Sequence, residues 1–143
     1  MIKKIGLVML TILFFACSDS DDTITLTENP ELGGTWLLVE QYSDPGDGSG
    51  DFEKVGSKKT IQFLEGGKFK SMGKLCFLDT ASGPETSGKY MINDTLTKYS
   101  SENYLLPQGC DYEGYRVYIY LDGSSLVLSY PCTEGCLQKY RRK

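Results

Sequence analysis

The stretch GYRVYIYLDGSSLVLSY, residues 114–130, limits what this chain can fold into more than any other. Apolar and polar residues alternate on both sides of DGSS, and a repeat of two is the period of a β-strand, not of a helix. Two such runs around a short Asp-Gly turn make a hairpin, in which Leu121 faces Leu126. Similar short runs, cut by turn residues, recur along most of the chain, and no segment after residue 17 shows a helical period. The expected class is therefore all-β.

The strands expected from this pattern are 34–42, 58–64, 68–72, 88–92, 95–99, 114–121, 126–130 and 136–142. EGG (65–67) joins the second and third, its glycines supplying the positive φ that a tight hairpin requires. ND (93–94) is expected to join the fourth and fifth. About eight strands in antiparallel succession carry two costly edges unless the sheet closes. An antiparallel up-and-down barrel of about eight strands closes it. Its inward face would carry Trp36, Ile61, Phe63, Phe69, Val117, Ile119, Leu121, Leu126 and Leu128. Three longer connections remain, 43–57, 78–87 and 100–113, and long loops on a rigid scaffold are where recognition concentrates.

The start of the chain has a different character. Met1-Ile2-Lys3-Lys4 precedes the 12-residue apolar run IGLVMLTILFFA, which is too short to span a bilayer and has the form of an export signal ending in small Ala16. Cys17 follows, and the stretch resembles a bacterial lipobox, in which the cysteine is acylated after cleavage before it; the usual Leu three positions upstream is Phe14 here. The resemblance implies residues 1–16 as signal peptide, Cys17 as lipidation site and an outer-membrane location. The acidic, polar segment after Cys17 also resembles the surface-export signal of Bacteroidetes-type lipoproteins. Residues 17–31 then read as a flexible tether and 32–143 as one domain. Removing residues 1–16 leaves 127 residues and moves the formal net charge from −4 to −6, because two lysines and no acid are lost. That balance argues against nucleic acid as a partner, since such surfaces need a basic footprint. The expected partner is the membrane, through acyl chains on Cys17.

Four cysteines remain, Cys76, Cys110, Cys132 and Cys136, an even number in an exported chain, which points to two disulfides. A zinc site would need all four thiolates, and their spacing lacks the usual close pairs. Four cysteines allow three pairings. Extending the 114–130 hairpin register favours Cys110 with Cys136 and Cys76 with Cys132. The short ring from Cys132 to Cys136 is the competing arrangement.

Gly34-Thr35-Trp36 resembles the G-x-W that opens the first strand of lipocalins. The order Leu32-Gly33-Gly34-Thr35-Trp36, then Phe63-Leu64-Glu65-Gly66-Gly67-Lys68-Phe69, then Lys139-Tyr140-Arg141 resembles the lipocalin-like domain of small Bacteroidetes lipoproteins. The resemblance implies a barrel whose closed end is packed by Trp36 beneath a basic residue near the chain's end, here Arg141 or its neighbour Arg142. It implies no particular ligand.

Candidate chemistry is sparse. The chain holds no histidine, which excludes Ser-His and Cys-His catalysis. Carboxylates at Asp79, Glu85, Asp111 and Glu113 are placed in loops with nothing to pair them, so no catalytic residue, cofactor or metal is expected. Asp44, Asp47, Asp51 and Glu53 are calcium-type ligands, but their spacing does not fit an EF-hand. Tyrosines are the remaining signal. Tyr118 and Tyr120 are expected to face outward beside Arg116, and Tyr104, Tyr112 and Tyr115 to gather near Cys110. Such rings suit a sugar or an apolar ligand, and equally a half-buried sheet surface. The functional expectation is a non-catalytic barrel that binds a small apolar or carbohydrate ligand or a partner protein. A structural subunit of an envelope complex is the alternative.

Overall fold

The computed structural model describes residues 28–143. The expected signal peptide, Cys17 and most of the tether lie outside the described residues. A 3-10 turn, Pro30–Leu32, leads into nine strands: β1 (Thr35–Ser43), β2 (Asp51–Lys54), β3 (Thr60–Leu64), β4 (Lys68–Met72), β5 (Glu85–Ile92), β6 (Asn103–Pro107), β7 (Val117–Asp122), β8 (Ser125–Tyr130) and β9 (Cys136–Arg142). Every pairing is antiparallel. Neighbours follow chain order from β3 to β9, and β9 returns to pair with β1, which closes an eight-stranded up-and-down barrel. The extra strand, β2, shares an edge of β1 with β3: Leu37 pairs with Thr60 and Glu40 with Lys54.

The alternating pattern is realised strand by strand. β3 buries Ile61 and Phe63, β4 buries Phe69 and Ser71, and β7 buries Val117 and Ile119. The apolar ones form one continuous core with Trp36, Leu38, Leu126 and Leu128; Leu121 is only partly buried against it. Leu121 pairs with Leu126 in the β7–β8 hairpin. Gly66 and Gly67 turn the β3–β4 hairpin at φ of 67° and 65°. The register along β1 shifts between Leu38 and Glu40. This bulge reverses the in-and-out order, so that Trp36 and Leu38 point inward with Gln41, while Glu40 reaches the outward Lys139.

The antiparallel course sorts the connections to two ends. The base carries the Pro30–Leu32 turn, 65–67, 93–102 and 123–124. The mouth carries 44–50, 73–84, 108–116 and 131–135.

Two strand assignments differ from the expected ones. Residues 95–99 are not a strand, and Asn103–Pro107, expected in a loop, is β6. The cause is Asn103, which is fully buried. Its Oδ1 accepts the N–H groups of Asn93 and Asp94, and its Nδ2 donates to the Thr95 carbonyl. That side chain stands in for a turn, so ND opens a ten-residue excursion instead of a two-residue hairpin. The excursion drives Leu96 into the core at the base, where its carbonyl accepts the Leu121 N–H. In addition, residues 51–54 of the first expected loop form β2.

The favoured cysteine pairing is also replaced. The disulfides are Cys76–Cys110 and Cys132–Cys136, with Cα separations of 5.2 and 6.1 Å. Cys136 lies opposite Tyr130 in the β8–β9 ladder, so the turn after Tyr130 delivers Cys132 beside it. Cys110 instead follows β6 to the mouth, where the loop between β4 and β5 presents Cys76.

Candidate binding site

At the base, Trp36 is 1% exposed and its Nε1–H donates to the Leu32 carbonyl at 2.9 Å. The Arg142 guanidinium lies 4.8 Å from the indole centroid and donates to the Glu31 carbonyl at 2.6 Å. The expected capping residue, Arg141, is corrected to Arg142. Arg142 is opposite Trp36 in the β1–β9 ladder and shares its face, whereas Arg141 is opposite Leu37 and points outward into solvent. Pro30 and Glu31, expected in the tether, are thus part of the base.

The mouth is stoppered by the 73–84 loop. Leu75 enters the core, and Cys76 ties the loop to Cys110. The Asp79 carbonyl accepts from Lys59 Nζ at 2.7 Å and from Gln138 Nε2 at 2.8 Å, and Ser57 Oγ donates to the Thr80 carbonyl. Gln138 is wholly buried; its Oε1 accepts from the hydroxyls of Tyr130 and Tyr140, and its Nε2 also donates to Gln41. Burial pushes the Tyr130 and Tyr140 phenols well up and pushes the Lys59 ammonium down to about 8, against the opposing charge of Asp79. These polar groups bond to one another and to the loop, so the mouth is sealed from within.

The outer wall is less finished. Tyr118 and Tyr120 of β7 point outward, as their alternation with Ile119 requires. Tyr104 meets Tyr118 edge-on at 6.4 Å between centroids, with Arg116 stacked 4.3 Å over Tyr104. Tyr120 departs from expectation: it is 8% exposed, because the 93–102 excursion leans over it. Between that overhang and β7–β9 runs a trough of about 250 Å³. Lys98, Tyr99, Ser100 and Ser101 form one bank, and Tyr118, Tyr120, Ser129 and Leu137 the other bank and floor. A second hollow of about 390 Å³ continues from it through the shared Lys98, Tyr120 and Leu137 toward Tyr42 and Phe52. Tyr99 is 93% exposed, a ring standing in water at the lip.

Of the two expected tyrosine groups, one changes membership: Tyr104 leaves the Cys110 group for the outer wall. Tyr104, Tyr118 and Tyr120 belong to the outer wall. Tyr112 and Tyr115 meet edge-on at 5.1 Å at the mouth, Tyr115 turned into the core and Tyr112 exposed. Tyr104 is therefore not a neighbour of Cys110, since β6 carries the two toward opposite ends. The Asp-rich loop holds itself. Asp44 accepts the N–H groups of Gly46 and Gly48, which lower its carboxyl pKa, and Asp47 accepts from Ser49. Among the described residues no three His, Cys, Asp or Glu side chains are grouped to hold a metal ion. Glu85 starts β5 and pairs with Lys70 on the surface. Lys98 and Tyr99 were expected in a strand because TLTKY alternates like one, whereas Ser100 and Ser101 lie in the expected 100–113 loop. No protein-family model, no curated protein and no solved structure matches this chain.

Proposed function

We propose that the chain is an exported lipoprotein, acylated at Cys17 and held at the outer membrane, whose lipocalin-like barrel is a non-catalytic scaffold that recognises its ligand or partner on the outer wall. One observation carries this reading. The barrel interior is packed with its own side chains and the 73–84 loop closes its mouth, so the open hollows lie on the outside, among them the aromatic-lined trough on β7–β9. Binding sites combine apolar surface with a few polar groups that fix orientation, and Tyr99, Tyr118 and Ser129 offer that combination. The signal-like start and Cys17 support the anchor. The filled barrel also favours the second reading, a structural subunit of an envelope complex that takes no small ligand.

Native mass spectrometry of the protein purified from its host envelope tests the proposal. The expected result is a reproducible adduct or co-purified partner that is lost in a Tyr99→Ala, Tyr118→Ala variant. An adduct retained in that variant places recognition elsewhere and overturns the outer-wall reading. A bare mass without any partner overturns the binding function. Cys17→Ala is expected to release the protein from the membrane fraction; continued fractionation with membranes rules out the acyl anchor.

A further inference from the structure

We infer that the outer-wall trough takes a neutral oligosaccharide, bound as a chain of at least two sugar rings along β7–β9. This inference rests on the outer-wall reading above and names its ligand class.

The argument begins with shape. Two hollows of about 250 and 390 Å³ join end to end through Lys98, Tyr120 and Leu137, both open to solvent along their length. A compact apolar ligand gains most from a deep site that removes it from water. An open trough suits an elongated ligand that stays partly wet.

Chemistry narrows the class. Aromatic rings recur along the trough, Tyr99 and Tyr118 in the first hollow and Tyr42 in the second, where Phe52 packs edge-on to Tyr42 and already carries the Lys139 ammonium over one face. Between them stand hydroxyl groups, Ser100, Ser101 and Ser129. A sugar ring has an apolar C–H face and a rim of hydroxyls, so it needs both kinds of partner at once. The ring of Tyr99 is already fully presented, and using it requires no displacement of protein atoms.

Charge and backbone exclude the main competitors. Two cations, Lys98 and Lys139, stand at the second hollow against three acids, Glu40 and Asp122, which pair with Lys139, and Glu134, and the chain as a whole is acidic. That balance disfavours an anionic glycan. A peptide laid as an added strand needs free backbone groups. Strands β8 and β9 pair on both sides, and β7 pairs with β6 at Val117 and Tyr118 while the Leu96 carbonyl takes its Leu121 N–H, so this wall offers no continuous free ladder.

The test uses the full lipidated chain, solubilised in a zwitterionic detergent free of sugar, on an array of neutral and acidic oligosaccharides. The strongest binder is then titrated calorimetrically. The expected result is a neutral oligosaccharide of two or more rings whose affinity falls at least tenfold in Tyr99→Ala and in Tyr118→Ala. Tyr112→Ala, an exposed tyrosine at the mouth, is expected to leave it unchanged. Tyr99→Ala is the decisive variant, because so exposed a ring contributes nothing to folding. Absence of any neutral binder, or binding indifferent to Tyr99→Ala, overturns the inference. An acidic glycan bound through Tyr99 also overturns it but leaves outer-wall recognition standing. So does a partner protein that depends on Tyr99 when no glycan binds.

Discussion

Lys59 is a fully buried lysine whose described hydrogen bond goes to a carbonyl, not to a carboxylate, and this gives stability an unusual dependence on pH. Burial is the larger cause of its depressed pKa, about 8 against 10.5 in the unfolded chain, with the Asp79 charge acting in the opposite sense. Between these two values the unfolded chain holds more protons than the folded one, so stability rises as pH increases. At pH 7 both states are protonated and nearly the whole cost of burying the charge is present. By pH 10 the folded state has shed its proton and most of that cost is gone. A tenfold difference in proton affinity between the two states is worth about 1.4 kcal/mol, so the barrel should gain about 2.5 kcal/mol between pH 7 and pH 10 from this group. The buried Tyr130 and Tyr140 phenols have the opposite sign above pH 10, which closes the window there. The perturbation is Lys59→Met, which keeps the stem and removes the charge; the Asp79 carbonyl keeps its bond from Gln138. Urea unfolding at pH 7, 8, 9 and 10 measures both proteins, and subtracting the variant removes every other titration. The difference, wild type minus variant, should climb by about 2.5 kcal/mol across the series. A flat difference would mean that Lys59 is not buried as a cation under the loop, and the sealed mouth would fall with it.

Three further outcomes concern packing and cross-links, and a fourth a close backbone approach. Trp36→Ala should cost about 3–5 kcal/mol in chemical denaturation, as deletion of a buried aromatic does, whereas an unchanged midpoint would contradict the packed base. Arg142→Ala should cost about 1 kcal/mol through the lost stack on Trp36, and Arg141→Ala less than about 0.5; equal effects would undo the assignment of Arg142 as the cap. Peptide mapping under non-reducing conditions should recover Cys76 linked to Cys110. Replacing that pair by alanine should cost about 4 kcal/mol against about 2 for Cys132 and Cys136, because the first closes the longer loop. Gly88→Ala should destabilise the barrel strongly in thermal unfolding, because a Cβ there would collide with the Leu106 carbonyl oxygen and lie 2.6 Å from the Phe69 ring; a tolerated alanine would refute the close approach of β4, β5 and β6.

The barrel was legible because its strands obey a local rule. Ile61-Gln62-Phe63 and Val117-Tyr118-Ile119 alternate within themselves, and the EGG turn needs only its two glycines. What the sequence hid depends on contacts between distant residues. TLTKY alternates as well as any strand, and only the burial of Asn103 turns the preceding residues into a loop. The cysteine pairing was lost with it, because moving a strand from 95–99 to 103–107 changes what Cys110 faces. The choice of Arg142 over Arg141 depends on parity across the β1–β9 ladder, set where the chain's two ends meet. The trough was hidden for the same reason: one bank comes from the misread excursion, and Ser129 and Leu137 look like ordinary strand residues until that excursion lies over them.

The pairing of β1 with β9 also governs the order of events in time. Trp36 finds its ladder partner at Arg142, so the two sides of the closing seam lie almost a full domain apart in sequence. Contacts of that span form late, after the entropy of a long loop has been lost. Until the last strand arrives, β1 and β8 are open edges and the core beneath Trp36 is uncapped. Completion of the barrel therefore waits for the final strand, Cys136–Arg142. A barrel closed this way stays loose while most of its strands are already made, and locks only when the last one is free to pair.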